Sequence, residues 1–237
     1  MTAPLRRVVG RRVLAIGPAE LAALFDRHAR AVIDVGTGNG RPILLRAAAE
    51  PTTLAVGLDA DAAAMAEASR RACRSPTKGG LPNALFLVAA AEALPEALQG
   101  RCDEVLVLFP WGSLLRGLTA GPPGPVAGQS GASPGSSDLV GGLAALLGAD
   151  GRLTIMLSLT ERDAGLGGVP ASLSLATLKP MLAALEAARL DIIECREATR
   201  DEVLATGSSW AKRIRAGTST RPAWLVRAIR RSVAGAG

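Results

Sequence analysis

Ala31-Val-Ile-Asp-Val-Gly-Thr-Gly-Asn-Gly40 is the stretch that decides the fold. A short β-branched run carries Asp34 near its end, then breaks into glycines at 36, 38 and 40. A buried parallel strand ends in this way where its backbone must turn tightly and admit a ligand, and a side chain at Gly36 or Gly38 would fill the space a nucleotide-like ligand needs. Outward from it, Pro42-Ile-Leu-Leu-Arg-Ala-Ala-Ala-Glu50 reads as a helix with proline in its first turn. Thr53-Leu-Ala-Val-Gly-Leu58 follows as a second strand that terminates in Asp59. Strand, glycine turn, helix, strand, acid is the first half of a doubly wound α/β sheet.

Two cofactors compete for such a turn. Nicotinamide enzymes show G-x-G-x-x-G, with the third glycine packing helix on strand and a pyrophosphate at the helix N-terminus. Here the spacing is G-x-G-x-G, with an acid two residues before the first glycine. That pattern resembles motif I of the class I methyltransferases, whose cofactor S-adenosylmethionine has no phosphate but a cationic amino-acid end. The resemblance implies that Asp34 lies near the methionine moiety, that Gly36 and Gly38 pass close to the cofactor, and that Asp59 accepts from both ribose hydroxyls.

At 237 residues the chain is read as a single domain, 1–237. No apolar run is long enough and unbroken enough for a membrane span, and the N-terminus lacks a signal-peptide core, so the expected location is the cytoplasm. Cys73, Cys102 and Cys195 are widely spaced, which predicts buried thiols, with neither disulfides nor a metal site. The single histidine, His28, is expected at the surface or at a helix end. Net charge is +6 and, apart from Lys78, Lys179 and Lys212, the basic residues are arginines, which bind phosphate through a planar fork. That is the electrostatic footprint of a nucleic-acid binder, although a GC-rich coding sequence also favours arginine.

Along the chain, residues 6–16 read as a hairpin turning near Gly10 and displaying four arginines, and Pro18–His28 as a helix. Asp61 caps a helix to about Cys73 that ends in Arg70, Arg71 and Arg74, with Lys78 in the following loop. Four cations exceed what one helix C-terminus uses, so they predict a phosphate-contact patch. Further strands are expected at 84–89, 103–110, 151–157, 191–196 and 223–229. Helices are expected from Asp138 to about Gly148 and from Leu173 to Arg189, and a short polar one before Ser208. The Gly/Pro/Ser-rich stretch 117–137 reads as a flexible loop, with a second glycine-rich loop at 164–171.

Ligands of an open α/β sheet lie at the C-terminal ends of its strands. The fourth such end reads Phe109-Pro-Trp-Gly-Ser113 and presents an indole on a rigid proline. Enzymes that methylate an exocyclic adenine amine commonly place Asp or Asn before Pro-Pro-aromatic, to accept from that amine. Phe109 and a single proline offer no such acceptor, so the site suits a ring nitrogen. Neutral adenine N1 has a free lone pair and needs no general base, and two tryptophans can stack on the base and stabilise its developing charge. Trp111 and Trp210 sit in polar or Gly/Pro surroundings, whereas Trp224 in the last strand reads as core.

Asp-Val-Gly-Thr-Gly-Asn-Gly, Leu-Asp-Ala-Asp, Lys-Gly-Gly-Leu-Pro-Asn, Ala-Glu-Ala-Leu-Pro, Phe-Pro-Trp-Gly-Ser-Leu-Leu-Arg-Gly and Ser-Ser-Trp-Ala-Lys-Arg occur in that order. Together they resemble the Kam family of aminoglycoside-resistance methyltransferases, which modify N1 of adenine 1408 in 16S rRNA of the 30S subunit. The resemblance implies a doubly wound, mostly parallel, seven-stranded class I methyltransferase (Rossmann-like) sheet with an N-terminal β-hairpin. It implies S-adenosylmethionine as cofactor, S-adenosylhomocysteine as product, no metal, no membrane, and a monomer acting on the 30S subunit. Cofactor contacts would come from Asp34, Gly36, Gly38, Asp59, Ala90, Ala91, Glu92, Leu108 and Ser113. Trp111 and Trp210 would sandwich the flipped adenine, with Ser208 beside the transferring methyl. Arg70, Arg71, Arg74, Lys78, Arg213 and Arg215 would meet rRNA phosphates. The sequence departs from the family in a longer 117–137 loop, in Gly167 where a related enzyme has arginine, and in Thr218 and Thr220. Competing readings are a same-fold enzyme acting on another RNA, a weakly active RNA-binding relative, and a dinucleotide oxidoreductase.

Overall fold

The computed structural model describes residues 4–119, 138–160, 163, 167–211 and 221–231. The chain runs β1 (Arg6–Val9), β2 (Arg12–Ala15), α1 (Pro18–Asp26), β3 (Arg30–Val35), α2 (Arg41–Ala49), β4 (Thr53–Asp59), α3 (Ala62–Ala72), β5 (Ala84–Val88) and β6 (Cys102–Leu108). It continues with α4 (Gly112–Thr119), α5 (Leu139–Leu146), β7 (Leu147–Leu157), α6 (Leu175–Ala187), β8 (Leu190–Glu197), α7 (Arg200–Ala205) and β9 (Trp224–Arg230).

One sheet contains all of these strands in the order β2-β1-β5-β4-β3-β6-β7-β9-β8. β5, β4, β3, β6 and β7 are mutually parallel, and β9 inserts antiparallel between β7 and β8. The expected seven strands are present. The hairpin does not stand apart from them: β1 pairs antiparallel with β5, from Arg6 opposite Val88, and lengthens the sheet to nine strands.

Side chains of the central strands alternate between two cores, as the period of two along a strand demands. Ile33, Val35, Leu54, Val56, Leu58, Val105 and Val107 join α4, α5 and α6 on one face. Val32, Ala55, Phe86, Val88 and Leu106 meet α2 and α3 on the other. Asp34 points to the second face, opposite Gly57 of β4. A Cβ at Gly57 would lie 2.9 Å from the Thr37 methyl and 3.0 Å from the Phe86 ring, and one at Gly40 only 2.5 Å from that ring. Phe86 thus fills the room that two glycines leave, and the third glycine of the motif serves packing.

Several expected boundaries shift. α1 ends at Asp26, and His28 just beyond it is half-buried with Nδ1 2.7 Å from the Leu24 carbonyl, a helix-end position. Asp138 caps α5 by accepting from Gly141 N at 2.8 Å, but that helix stops at Leu146 and β7 begins at once. Cys102 pairs with Leu147 and Glu104 with Arg152, so the residues between Leu147 and Arg152 bulge, with Asp150 at φ 57°. Local glycines read as a turn, and pairing with β6 overrides them. Within α6, Pro180 is accommodated and a Ser174–Thr177 capping box fixes the start. The thiol expectation holds only for Cys102, whose burial pushes its pKa up to about 12; Cys73 is exposed and Cys195 half-buried. Cys73 caps the C-terminus of α3, where its side chain has no core to face. Of the expected loop 117–137, residues 117–119 instead form the last turn of α4, where Leu118 and Thr119 are buried against the core; residues 120–137 lie outside the described residues, as do 164–166 of the second glycine-rich loop. Among the described residues no helix is long and apolar enough to cross a membrane.

Candidate active site

The C-terminal ends of β5, β4, β3 and β6 are adjacent, so the segments after Val88, Asp59, Val35 and Leu108 line one rim of the sheet. The glycine turn opens that rim. Gly36 N and Thr37 N both donate to the Leu58 carbonyl, at 2.8 and 3.1 Å, which ties the end of β3 to the end of β4. Gly36, Gly38 and Gly40 all adopt positive φ, a conformation glycine reaches without strain. The two glycines of the expected cofactor contact, Gly36 and Gly38, differ. A Cβ at Gly38 would meet nothing within 4 Å, whereas one at Gly36 would lie 2.6 Å from Leu114 Cδ2 of α4. Gly38 therefore faces open space, and the room at Gly36 is taken by the chain itself.

Asp59 is half-buried and already engaged: Oδ2 accepts from Gly38 N and Oδ1 from Asp61 N, each at 2.8 Å. These bonds fix the carboxylate while each oxygen keeps a further lone pair for a ligand. Asp34 is the reverse case. It is 1 % exposed, and neither of its oxygens, nor the Thr37 hydroxyl, has a hydrogen-bond partner within the structure by geometry. Burial pushes its pKa up to about 7, the Thr37 hydroxyl opposing and the Asp59 charge adding to the rise. A buried carboxylate that lacks partners is costly. It is matched by a ligand that brings a cation or N–H donors, so Asp34, Gly38 and Asp59 fit a group with a positive end and a diol.

Ala90 and Ala91 are half-buried in the turn after β5, with Glu92 exposed beside them, and Ala93 N closes that turn on the Ala90 carbonyl at 3.1 Å. Leu108 is half-buried at the end of β6, and Ser113 is exposed in the first turn of α4. Between them the chain bends sharply. Phe109 takes φ 53°, an uncommon conformation for a bulky residue, and its N–H donates to the Met156 carbonyl at 2.7 Å. Pro110 is buried, and Trp111 stands 80 % exposed. Trp210 is half-buried among Met156, Val203 and Leu225, and its ring meets that of Phe109 at 5.9 Å between centroids, tilted by 39°. Phe109 thus joins the two tryptophan segments. Trp224 is buried, as expected for core.

Ser208 is buried. Its Oγ accepts from Ala211 N at 3.1 Å and lies 3.0 Å from the Thr206 hydroxyl oxygen. Arg70, Arg71, Arg74 and Lys78 are all exposed at the end of α3 and just after it. Arg70 is held by Glu67 at 2.8 Å, an exposed pair that solvent weakens. Arg213 and Arg215 lie outside the described residues. Of the hairpin arginines, Arg6, Arg11 and Arg12 are exposed, while Arg7 is paired with Glu20 at 2.7 Å. Among the described residues no group of three His, Cys, Asp or Glu side chains could hold a metal.

Thr37, Arg41 and Phe109 contribute to this rim, and the sequence does not single them out as site residues; Ser69, away from the rim, is likewise unsignalled. Thr37 was visible only as the small residue between two glycines. Arg41, Ser69 and Phe109 act through contacts distant in sequence, which no local pattern signals.

A doubly wound sheet in which β9 inserts antiparallel between β7 and β8, with a glycine turn and a distal acid at adjacent strand ends, defines a class I methyltransferase. The profile of the NpmA family, described as 16S rRNA (adenine(1408)-N(1))-methyltransferase, matches residues 6–229, and the chain belongs to that family. The chain is 37 % identical over 213 residues to the 16S rRNA (adenine(1408)-N(1))-methyltransferase of Streptoalloteichus hindustanus, which covers 89 % of this chain and 92 % of that one. Its fold is similar to the crystal structure of the 16S rRNA methyltransferase KamB, with a TM-score of 0.80 and 31 % identity over 96 % of this chain and 100 % of that one. It is likewise similar to a tryptophan-to-alanine variant of the Catenulisporales acidiphilia enzyme solved with its cosubstrate SAM, with a TM-score of 0.77 and 29 % identity, covering 98 % of this chain and 100 % of that one.

Proposed function

We propose that the chain transfers the methyl group of S-adenosylmethionine to N1 of adenine 1408 in 16S rRNA of the 30S subunit, and that the modified subunit resists aminoglycosides. The observation that carries this reading is the exposed Trp111 indole on buried Pro110, joined through Phe109 to Trp210 at the rim that also holds Asp34 and Asp59. S-adenosylmethionine, when bound, supplies a methyl on a cationic sulfur and leaves as S-adenosylhomocysteine. Asp34 receives the ammonium of its amino-acid end, and Asp59, oriented by two backbone N–H groups, accepts from the ribose hydroxyls. Gly38 leaves the space the cofactor occupies.

Trp111 and Trp210 hold the flipped adenine between their faces and exclude water. The cofactor would supply the methyl to the N1 lone pair, which carries no proton in neutral adenine, so the reaction would ask no side chain of this chain to act as a base. The positive charge moves to the base, where the two indoles stabilise it by cation–π attraction. Ser208 lies on the same segment as Trp210 and borders the transfer centre. The buried Cys102 thiol, with its pKa raised to about 12, has no part in this chemistry. Arg70, Arg71, Arg74 and Lys78, with Arg213 and Arg215, contact rRNA phosphates; the protein works as a cytoplasmic monomer without a metal.

Primer extension on 16S rRNA, after 30S subunits are incubated with protein and S-adenosylmethionine, tests the reading. A new stop at adenine 1408 is expected. A stop elsewhere would mean another RNA position is the substrate, and no stop would leave an RNA-binding protein without transfer activity.

A further inference from the structure

A trough of about 600 Å³ opens between α2 and α7, the helices that lead out of the glycine turn and into the Ser208–Trp210 segment. Pro42, Leu45 and Ala49 form one wall and Ala205 and Thr206 the other, over a floor that includes Met156 and Leu225. Arg41 Nε, at the first residue of α2, donates to the Gly207 carbonyl, just after α7, at 2.9 Å. Beside it Gly207 presses on the same helix. With φ 64°, a Cβ there would lie 2.0 Å from Leu45 Cδ1, so the backbone passes directly over that side chain.

Residues 206–211 behave as one unit once Gly207 is held. The Thr206 hydroxyl donates to the Val203 carbonyl at 2.7 Å and accepts from Ser208 N at 3.2 Å, and Ser208 Oγ accepts from Ala211 N at 3.1 Å. Fixing the Gly207 carbonyl therefore fixes Ser208 and the backbone of Trp210. The far side of Trp210 rests on Phe109. The segment is thus held from two loops: the strand end that presents Trp111, and the helix that begins at the glycine turn.

We infer that Arg41 is a positioning residue for methyl transfer, tying the helix behind the cofactor turn to the segment that carries Ser208 and Trp210. The inference rests on the proposed role of Trp210 in holding the base. Arg41 touches neither reactant in this scheme. It sets the place of one wall of the base site relative to the turn where the methyl donor binds, and small misplacements of this kind cost rate steeply.

The test compares wild type, Arg41→Ala, Arg41→Lys and Trp210→Ala in the full-length protein. Amide hydrogen exchange at 207–211 is measured without ligands, S-adenosylmethionine affinity by calorimetry, and kcat and KM on 30S subunits by methyl transfer. Arg41→Ala is expected to speed exchange at 207–211 by about tenfold or more and to lower kcat by about tenfold or more. KM for 30S and cofactor affinity should stay within about threefold. Arg41→Lys, which keeps a charged donor of similar reach, should recover most of both losses. Unchanged exchange in Arg41→Ala would overturn the tether, and faster exchange with full turnover would overturn its part in the reaction. A fall in cofactor affinity matching the fall in kcat would overturn it too, by assigning Arg41 to the glycine turn. Full turnover in Trp210→Ala would instead overturn the reading of the base site, whatever Arg41→Ala does.

Discussion

Asp34 is a carboxylate placed where folding alone gives it no partner. Its folded pKa of about 7 lies above the value near 3.9 of an unfolded aspartate, so the folded chain binds that proton more tightly. The stability this contributes is fully present below about pH 4 and is lost as pH rises through about 7. A cationic ligand group reverses the balance, because it selects the ionised form. S-adenosylmethionine affinity is therefore expected to rise as pH increases through about 7. Asp34→Asn should flatten the decline in apo-protein stability between about pH 4 and 8 and weaken cofactor binding. Urea titrations at several pH values, wild type against variant, check the first part, and parallel calorimetry checks the second. Identical stability slopes would mean Asp34 is ionised in the folded chain. The tryptophans obey a different rule. Trp111 is 80 % exposed, so Trp111→Ala should leave the melting temperature nearly unchanged while removing most methyl transfer, and phenylalanine should retain part of it. Trp210 is half-buried on Phe109 and Met156, so its alanine variant should lose both stability and activity. A Trp111→Ala protein that methylates normally would sink the sandwich.

At the scale of elements, the hairpin meets α3 through the packing of Val8 on Met65, Ala68 and Ala72 and through the side-chain hydrogen bonds of Ser69. Ser69 Oγ donates to the Val8 carbonyl at 2.7 Å and accepts from Gly10 N at 2.9 Å, and the residue is 1 % exposed. Ser69 holds the hairpin turn, which carries Arg11 and Arg12, against the helix that carries Arg70 and Arg71. Ser69→Ala leaves the half-buried Gly10 N–H and the buried Val8 carbonyl without this partner and is expected to cost about 1–3 kcal/mol of stability. It should also weaken 30S binding at temperatures where the protein is still folded, with cofactor affinity retained. Equilibrium unfolding and filter binding measure the two, and loss of neither would mean that β5 pairing, Val8 packing and the Arg7–Glu20 pair hold the hairpin without Ser69. Little of this was legible beforehand. The strands were, because a run such as Ala31–Val35 reports burial on both faces through its own composition. So were the glycine turn and Asp59, since a strand that must end in a tight bend beside a ligand needs those residues locally. The caps at Asp61 and Asp138 were legible for the same reason. The Ser69 staple joins residues 59 and 61 positions apart, and the Arg41–Gly207 bond 166. Phe109 gave no sign of a positive φ, because a bulky side chain reaches that region only when surroundings force it. Gly36 pointed to a ligand, yet Leu114 from a helix far along the chain fills its space. Patterns within a dozen residues are read from sequence, and contacts across the sheet are not.

The whole molecule divides its tasks between the sheet's rim and its surface charge. The rim gathers Asp34, Gly38, Asp59, Trp111 and the Ser208 segment from strand ends that the parallel order makes neighbours. The cations, by contrast, sit on outer elements: Arg11 and Arg12 on the hairpin, and Arg70, Arg71, Arg74 and Lys78 at and beyond the end of α3. Such a surface reads no bases. It recognises where phosphates stand, so affinity should come from a folded RNA that presents several phosphates at fixed spacing. Each released counterion steepens the salt dependence, and 30S affinity is expected to fall sharply as salt is raised. Reversing Arg70, Arg71 and Arg74 to Glu should reduce both the affinity and that slope, and leave S-adenosylmethionine binding intact because these residues lie away from the glycine turn. Arg70 alone should matter least of the three, since Glu67 already holds it. Binding assays at several salt concentrations, on 30S subunits and on a naked helical fragment containing adenine 1408, decide the point. Tight binding confined to the assembled subunit supports recognition by phosphate geometry. Equal affinity and equal salt slope on the naked fragment would mean that the charge merely attracts RNA, and that the choice of adenine rests wholly on the two tryptophans.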